Sequence, residues 1–221
     1  MKRARTNGFT AVEVLLAMVV TSLVALTVTS VFMALSTAQQ HCEDQYLYVQ
    51  EARNTARYLQ ARLRKARLLT AADSSGMVLW AQDANANGLI NVSELRVITY
   101  DAAARTLRES RVAFPDSLSA DTRAALDVTK TVASLSVPAN VKLALQQDYA
   151  AYYQEETLAG RIRGFSVQPD AAAPMTRLVK VRLTIGSDQR SMTLYASASL
   201  RADYTSHLGL SGGQYVLIVP G

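Results

Sequence analysis

Cysteine is almost missing from this chain: Cys42 is the only one in 221 residues. One thiol closes no intramolecular disulfide. With only two histidines, His41 and His207, far apart in sequence, no Cys/His cluster of zinc spacing is available either. Cys42 is expected to lie buried in a helix interface, and the histidines to be surface or interface residues rather than catalytic bases. Helix breakers are also scarce, with neither proline nor glycine between Phe9 and Leu69. Nothing pairs a nucleophile with a base, and no glycine-rich loop is shaped to cradle phosphate, so an enzyme is not expected. A strong charge excess is missing too. Formal net charge is +5, but Lys2, Arg3 and Arg5 carry three of those charges, which leaves +2 for the chain after residue 8. The basic pI is therefore weak support for a nucleic-acid partner.

What the chain does have is a long apolar run. From Phe9 to Leu35 the only charge is Glu13. A helix of that length rises about 40 Å, more than a hydrocarbon core of about 30 Å. The basic flank ahead of it belongs on the cytoplasmic side by the positive-inside bias. A secretory signal peptide, cut after Ala38 in Ser36-Thr37-Ala38, is the competing reading, but its apolar core would be nearly twice the usual length. An ionisable group inside a membrane-length segment points to function, unless Glu13 simply rests at headgroup depth.

Gly8-Phe9-Thr10, then Glu13, then a long apolar helix, resembles the N-terminal signal of type IV prepilins and type II secretion pseudopilins. The resemblance implies cleavage by a prepilin peptidase between Gly8 and Phe9 and N-methylation of Phe9. It also implies assembly into a filament through Glu13, whose carboxylate would neutralise the new α-amine of an adjacent subunit in a low-dielectric setting. More loosely, "LVKVRLTIGSDQRSMTLYASASLR" resembles the close of the minor-pilin and J-type pseudopilin branch often labelled PilW or PulJ, so a minor subunit is expected. The implied partners are the peptidase, other pilin or pseudopilin subunits and the bacterial inner membrane, crossed once with the N-terminus cytoplasmic.

The expected fold is α+β and pilin-like, a long N-terminal helix packed on an antiparallel sheet with a helical insertion between strands. Its parts are a basic leader at 1–8, a transmembrane helix at 9–35, an amphipathic continuation at 36–70 and an extracytoplasmic sheet domain at 71–221. Leu35, Cys42, Val49, Ala56 and Leu63 recur every seven residues, accompanied by Ala38, Ala52, Leu59 and Ala66, an apolar stripe at helical spacing. Arg53, Arg57, Arg62, Arg64, Lys65 and Arg67 form a basic run, read as a solvated face with DNA phosphates as the alternative. Strands are expected at Met77–Gln82, Glu94–Asp101, Arg105–Phe114 and Arg163–Gln168. A hairpin follows, with Val179, Val181, Leu183 and Ile185 alternating against Met192, Leu194, Ala196 and Ala198. About 117–158 reads as a helical excursion ending near Gly160, with Val141, Leu145, Tyr149 and Tyr152 on one face. The tail Gly212–Gly221 is expected to add an edge strand or dock on a partner.

One further motif stands out. Asp83, Asn85, Asn87, Gly88, Leu89, Asn91 and Glu94 fit the twelve-residue EF-hand loop, with oxygen ligands at positions one, three and five, a backbone carbonyl at seven and glutamate at twelve. Two readings stand. One is a plain Asn-Gly hairpin turn; the other is a weak Ca2+ loop that stabilises the sheet, weak because only Asp83 and Glu94 bring charge. The functional expectation is structural, with two alternatives. One is a pilus-tip module binding DNA, a surface or a secreted substrate through Arg53–Arg67. The other is a secreted soluble protein beginning at Gln39.

Overall fold

The computed structural model describes residues 10–187, 191–200, 208–211 and 214–217. It divides into two units, 1–47 and 48–221. Helix α1 runs from Ala11 to Lys65, 55 residues. In the first unit every described side chain from Thr10 to Glu43 is exposed. Leu15, Leu16, Leu23, Leu26, Phe32 and Leu35 among others present their surfaces to the surroundings. The hydroxyls of this stretch are turned inward on the helix itself: Thr21 donates to the carbonyl of Ala17, Ser22 to Met18, Thr27 to Val24, Thr29 to Ala25 and Ser30 to Thr27. An apolar segment with its polar atoms satisfied within one helix meets the requirement that lipid sets. It is long and apolar enough to span a membrane.

In the second unit the stripe predicted on the helix becomes a buried seam. Ala52, Leu59, Leu63 and Ala66 are fully buried and Ala56 is partly covered. Leu35 and Ala38 are exposed, and Cys42, expected in an interface, is exposed as well. The helix also stops sooner than residue 70. Leu68–Asp73 leaves it as strand β1, because it finds a backbone partner in β2, Gly76–Trp80, and closes a tight hairpin. Asp73 holds that turn, its carboxylate accepting from the N–H groups of Ser75 at 2.7 Å and Gly76 at 3.0 Å.

After a loop come β3 (Ile90–Asn91), a 3-10 turn (Val92–Glu94), β4 (Leu95–Asp101) and β5 (Thr106–Val112). Helix α2 (Ala120–Leu126) is capped by the Ser119 hydroxyl, which accepts from the N–H of Thr122. Strand β6 (Thr129–Lys130), a second 3-10 turn (Ala133–Leu135) and α3 (Pro138–Asp148) follow. The excursion is therefore only partly helical and ends before Gly160. Tyr153–Ala159 forms β7, an edge strand on β5, and Tyr152 falls just beyond the helix. The chain then continues as β8 (Ile162–Pro169), β9 (Leu178–Gly186), β10 (Ser191–Ser199) and a tail hairpin of β11 (Leu208–Ser211) and β12 (Gln214–Leu217). The expected tail edge strand is thus a hairpin in its described part.

Two larger antiparallel sheets result, five-stranded β1-β2-β4-β5-β7 and three-stranded β10-β9-β8, beside the two-stranded pairs β3-β6 and β11-β12. One core lies among α1 and the two sheets, where Leu59, Leu63, Met77, Leu79, Ile98, Phe165, Val181 and Ile185 meet. A second core lies on the opposite face of the five-stranded sheet. There Val141 and Leu145 of α3, with Tyr149 at its C-cap, cover Val78, Trp80, Leu95 and Val97. This accounts for the continuous apolar run Met77–Trp80, buried at every position because both faces are covered. The excursion is the lid of that second face. Gly76 lies where the hairpin passes β4, and a Cβ built there would stand 2.1 Å from the backbone oxygen of Ile98.

Candidate functional site

Two places carry the residues singled out by sequence. At the N-terminus, Gly8 and Phe9 lie outside the described residues, as does His207. Glu13 is described, in the first turn of α1. Its carboxylate accepts from the backbone N–H of Thr10 at 2.9 Å and from the Thr10 hydroxyl at 3.1 Å. The same hydroxyl accepts from the N–H of Glu13 at 3.3 Å. This is a capping box, Thr10 serving as the cap and Glu13 as the third helical residue, with each side chain holding an N–H that has no partner along the helix. In the sequence Thr10 counts only as part of Gly8-Phe9-Thr10, although Thr-x-x-Glu before an apolar run is itself a helix-start signal.

The second place is the loop from Asp83 to Glu94, between β2 and β4. It is not the hairpin turn that Asn87-Gly88 suggests. Gly88 has φ of +69° and Ala86 of +55°, but Asn87 is not in the left-handed region, so the paired positive φ values of an Asn-Gly hairpin are not met. Moreover, the loop is too long for a two-residue turn: Ile90 and Asn91 within it pair with Lys130 and Thr129 of β6 before β4 returns along β2, Leu95 opposite Trp80. The chain instead wraps around its acidic first residue. Asp83 Oδ1 accepts from the N–H of Asn87 at 3.1 Å and Oδ2 from that of Gly88 at 3.2 Å. Asn85 Oδ1 accepts from the N–H of Asn87, and Asn87 Oδ1 from that of Leu89.

Glu94 closes the loop from the far end. Its side chain is buried, at 2% exposure. It accepts from Trp80 Nε1 at 2.9 Å, from the N–H of Ala84 at 2.6 Å and from the N–H of Asn91 at 3.2 Å. Asn91 is also buried and its carboxamide is engaged at both ends: Oδ1 accepts from Asn87 Nδ2, and Nδ2 donates to the carbonyl of Asp127. Asp127, a residue the sequence reading passed over, binds the N–H and hydroxyl of Ser93 at 2.9 Å and 2.7 Å. An open cleft of about 800 Å³ lies between the loop and α2, with Asn85, Asn87, Asn91, Arg123 and Asp127 among its walls. Among the described residues no three His, Cys, Asp or Glu side chains gather as a metal-binding group, and of the loop's six candidate ligands only Asp83 and Glu94 are carboxylates.

The basic run does not form one face. Arg62 lies over the Tyr58 ring and pairs with Glu109 at 3.2 Å, and Arg67 lies over Trp80 with Nη1 3.9 Å from Asp83. Arg53, Arg57, Arg64 and Lys65 are exposed. The loop is flanked by strands, β2 before it and β4 after it, and closes with a single 3-10 turn, not the two helices of an EF-hand. No family model, curated protein or solved structure matches the chain. Its architecture is a long apolar N-terminal helix followed by antiparallel sheets, a layout compatible with that of pilins.

Proposed function

We propose that this chain is a minor pilin or pseudopilin, a structural subunit of a type IV pilus or type II secretion pseudopilus. Prepilin peptidase cuts it between Gly8 and Phe9 and methylates Phe9. The mature chain then leaves the bacterial inner membrane by packing its N-terminal helix among those of other subunits. Glu13 neutralises a neighbour's terminal amine, which sets the axial register, since either charge alone would be costly to desolvate.

One observation carries most of the weight: from Ala11 to Leu35 the helix is exposed at every position, and Glu13 is its only charge. Such a surface needs lipid first and apolar partners afterwards. Two further features support the proposal. The helix continues without a break through Ser36–Ala38, where release as a soluble protein would require an accessible cleavage site. Arg62 and Arg67 are engaged within the fold, which leaves a DNA-binding role for the basic run with less to work on. The test is the N-terminus and intact mass of the protein from cells with and without a prepilin peptidase. A chain beginning at methylated Phe9 only when the peptidase is present is expected. A chain beginning at Gln39, or one uncut in both strains, would overturn the assignment.

A further inference from the structure

We propose that the loop Asp83–Glu94 binds a calcium ion. The spacing of its oxygen groups suggested this, and the fold disfavours the rival account: the loop is the long connection between the paired strands β2 and β4, and Asn87 lacks the positive φ of an Asn-Gly turn. Its wrapped path brings the ligand positions inward for a physical reason. N–H groups of Asn87 and Gly88 hold the two oxygens of Asp83, and the N–H of Asn87 also holds Asn85 Oδ1, so these carboxylate and carboxamide groups are oriented before a cation arrives.

Glu94 is oriented in the same way, and by a longer-range contact. Trp80 Nε1 donates to Oε2, the kind of outer hydrogen bond that fixes the direction of a ligating carboxylate. Asp83, Asn85, Asn87, the carbonyl of Leu89 and Glu94 are the donors. Asn91, at the ninth position, is buried and would act through a water, as that position often does. All the donors are hard oxygens, which select calcium or magnesium over softer ions. A flexible twelve-residue set with only one or two waters suits calcium rather than strictly octahedral, reluctantly dehydrated magnesium. Two carboxylates balance a dication. The guanidinium of Arg67, 3.9 Å from Asp83, subtracts from the attraction. Affinity therefore falls in the weak class, with Kd of about 10⁻⁴–10⁻³ M.

Trp80 is the chain's one tryptophan and touches the last ligand, which supplies the reporter. Terbium(III), an oxygen-seeking ion close to calcium in size, is titrated into the full chain in detergent while the indole is excited. Sensitised terbium emission is expected, displaced by millimolar calcium and not by the same concentration of magnesium. Asp83→Asn and Asn85→Ala should each weaken terbium and calcium binding by about tenfold or more, while Asp101→Asn, a carboxylate in another turn, should not. Asn85 is exposed, so its variant should keep the calcium-free melting temperature of the parent and separate loss of a ligand from loss of the fold. In the parent, 10 mM calcium should raise the melting temperature by roughly 3–6 °C, and in the two loop variants by less than about 1 °C. No sensitised emission, displacement by magnesium as readily as by calcium, or undiminished binding in Asp83→Asn would each overturn the proposal.

Discussion

Removing the carboxylate of Glu109 should be among the most damaging single changes in the sheet domain. Glu109 sits on β5 beneath the end of α1, with its side chain 3% exposed. Three groups depend on it: Arg62 at 3.2 Å, Arg96 at 3.6 Å and the Tyr58 hydroxyl, which donates to it at 2.9 Å. The two arginines differ in their freedom. Arg62 is a third exposed and can turn its guanidinium to water, whereas Arg96 is 15% exposed and its Nε has no hydrogen-bond partner. Burial already holds the Arg96 guanidinium below its ordinary pKa, against the pull of Glu109. Glu109→Gln would leave that buried cation without a counter-charge. Breaking a buried pair from one side costs about 3–5 kcal/mol, and the escape open to Arg62 puts the expected loss near the lower end, about 3 kcal/mol. At about 2–4 °C per kcal/mol the melting temperature should fall by roughly 6–12 °C, read by circular dichroism on the full chain in detergent. Adding Arg96→Met to Glu109→Leu should restore much of the loss, because the orphaned charge is then gone. A fall below about 2 °C for Glu109→Gln, or a double variant worse than the single, would refute this account of the cluster.

At Gly76, alanine should cost about 1–3 kcal/mol, since the backbone oxygen of Ile98, 2.1 Å from the new Cβ, cannot rotate away; Gly164→Ala, whose nearest atoms stand at 3.6 Å, should be within a few tenths of neutral, and equal melting temperatures for the two would contradict the steric argument. Glu155 bears on acid stability. Burial works to raise its pKa, but the hydrogen bond and charge of Lys142, joined by Arg108, outweigh it and hold the carboxyl below its ordinary 4.5. A lowered folded-state pKa contributes stability above the ordinary value that is lost as pH falls below about 4.5, so thermal melts from pH 6 to pH 3 should decline less steeply in Glu155→Gln than in the parent, and parallel slopes would count against it. At the helix start, Thr10→Ala removes the cap but leaves the charge, while Glu13→Ala removes the charge and its half of the capping box but leaves the Thr10 cap. If Glu13 serves assembly, processed Thr10→Ala should still enter filaments and processed Glu13→Ala should not; equal incorporation of the two would reduce Glu13 to a capping residue.

The parts of the fold that could be read from sequence were those whose partners lie nearby in the chain. β9 and β10 form one hairpin, and Val179, Val181, Leu183 and Ile185 are all buried as their alternation requires. Among the strands that escaped reading, β1 and β7 have compositions that favour another state. Leu68–Asp73 continues the helix with no breaker, and "YQEETLA" is rich in residues comfortable in helices. Each became a strand because a partner's open edge was available, β2 for the first and β5 for the second, and pairing with burial outweighs a local preference of a few tenths of a kcal/mol per residue. The helical stripe illustrates the same limit from the other side. Its spacing is identical at Leu35 and at Leu63, yet only Leu63 meets a sheet.

The candidate loop was legible in its ligands but not in what holds them. Counting along twelve residues finds Asp83 and Glu94, because an ion-binding loop is a local object whose oxygens appear at fixed intervals. Trp80 and Asp127 could not be found that way, since they reach Glu94 and Ser93 across 14 and 34 residues. They also give the loop a role beyond its own turn. Trp80 belongs to the core that α3 covers, and Asp127 ends α2, so the loop is pinned at once to the sheet and to the excursion that lids it. The excursion has its own physical reason, since Val78, Trp80, Leu95 and Val97 would otherwise face water. A chain that builds a second apolar face on its sheet must also fix the segment that covers it. A cation at Asp83–Glu94 would stiffen the junction through which that segment is attached, whatever the N-terminal helix later joins.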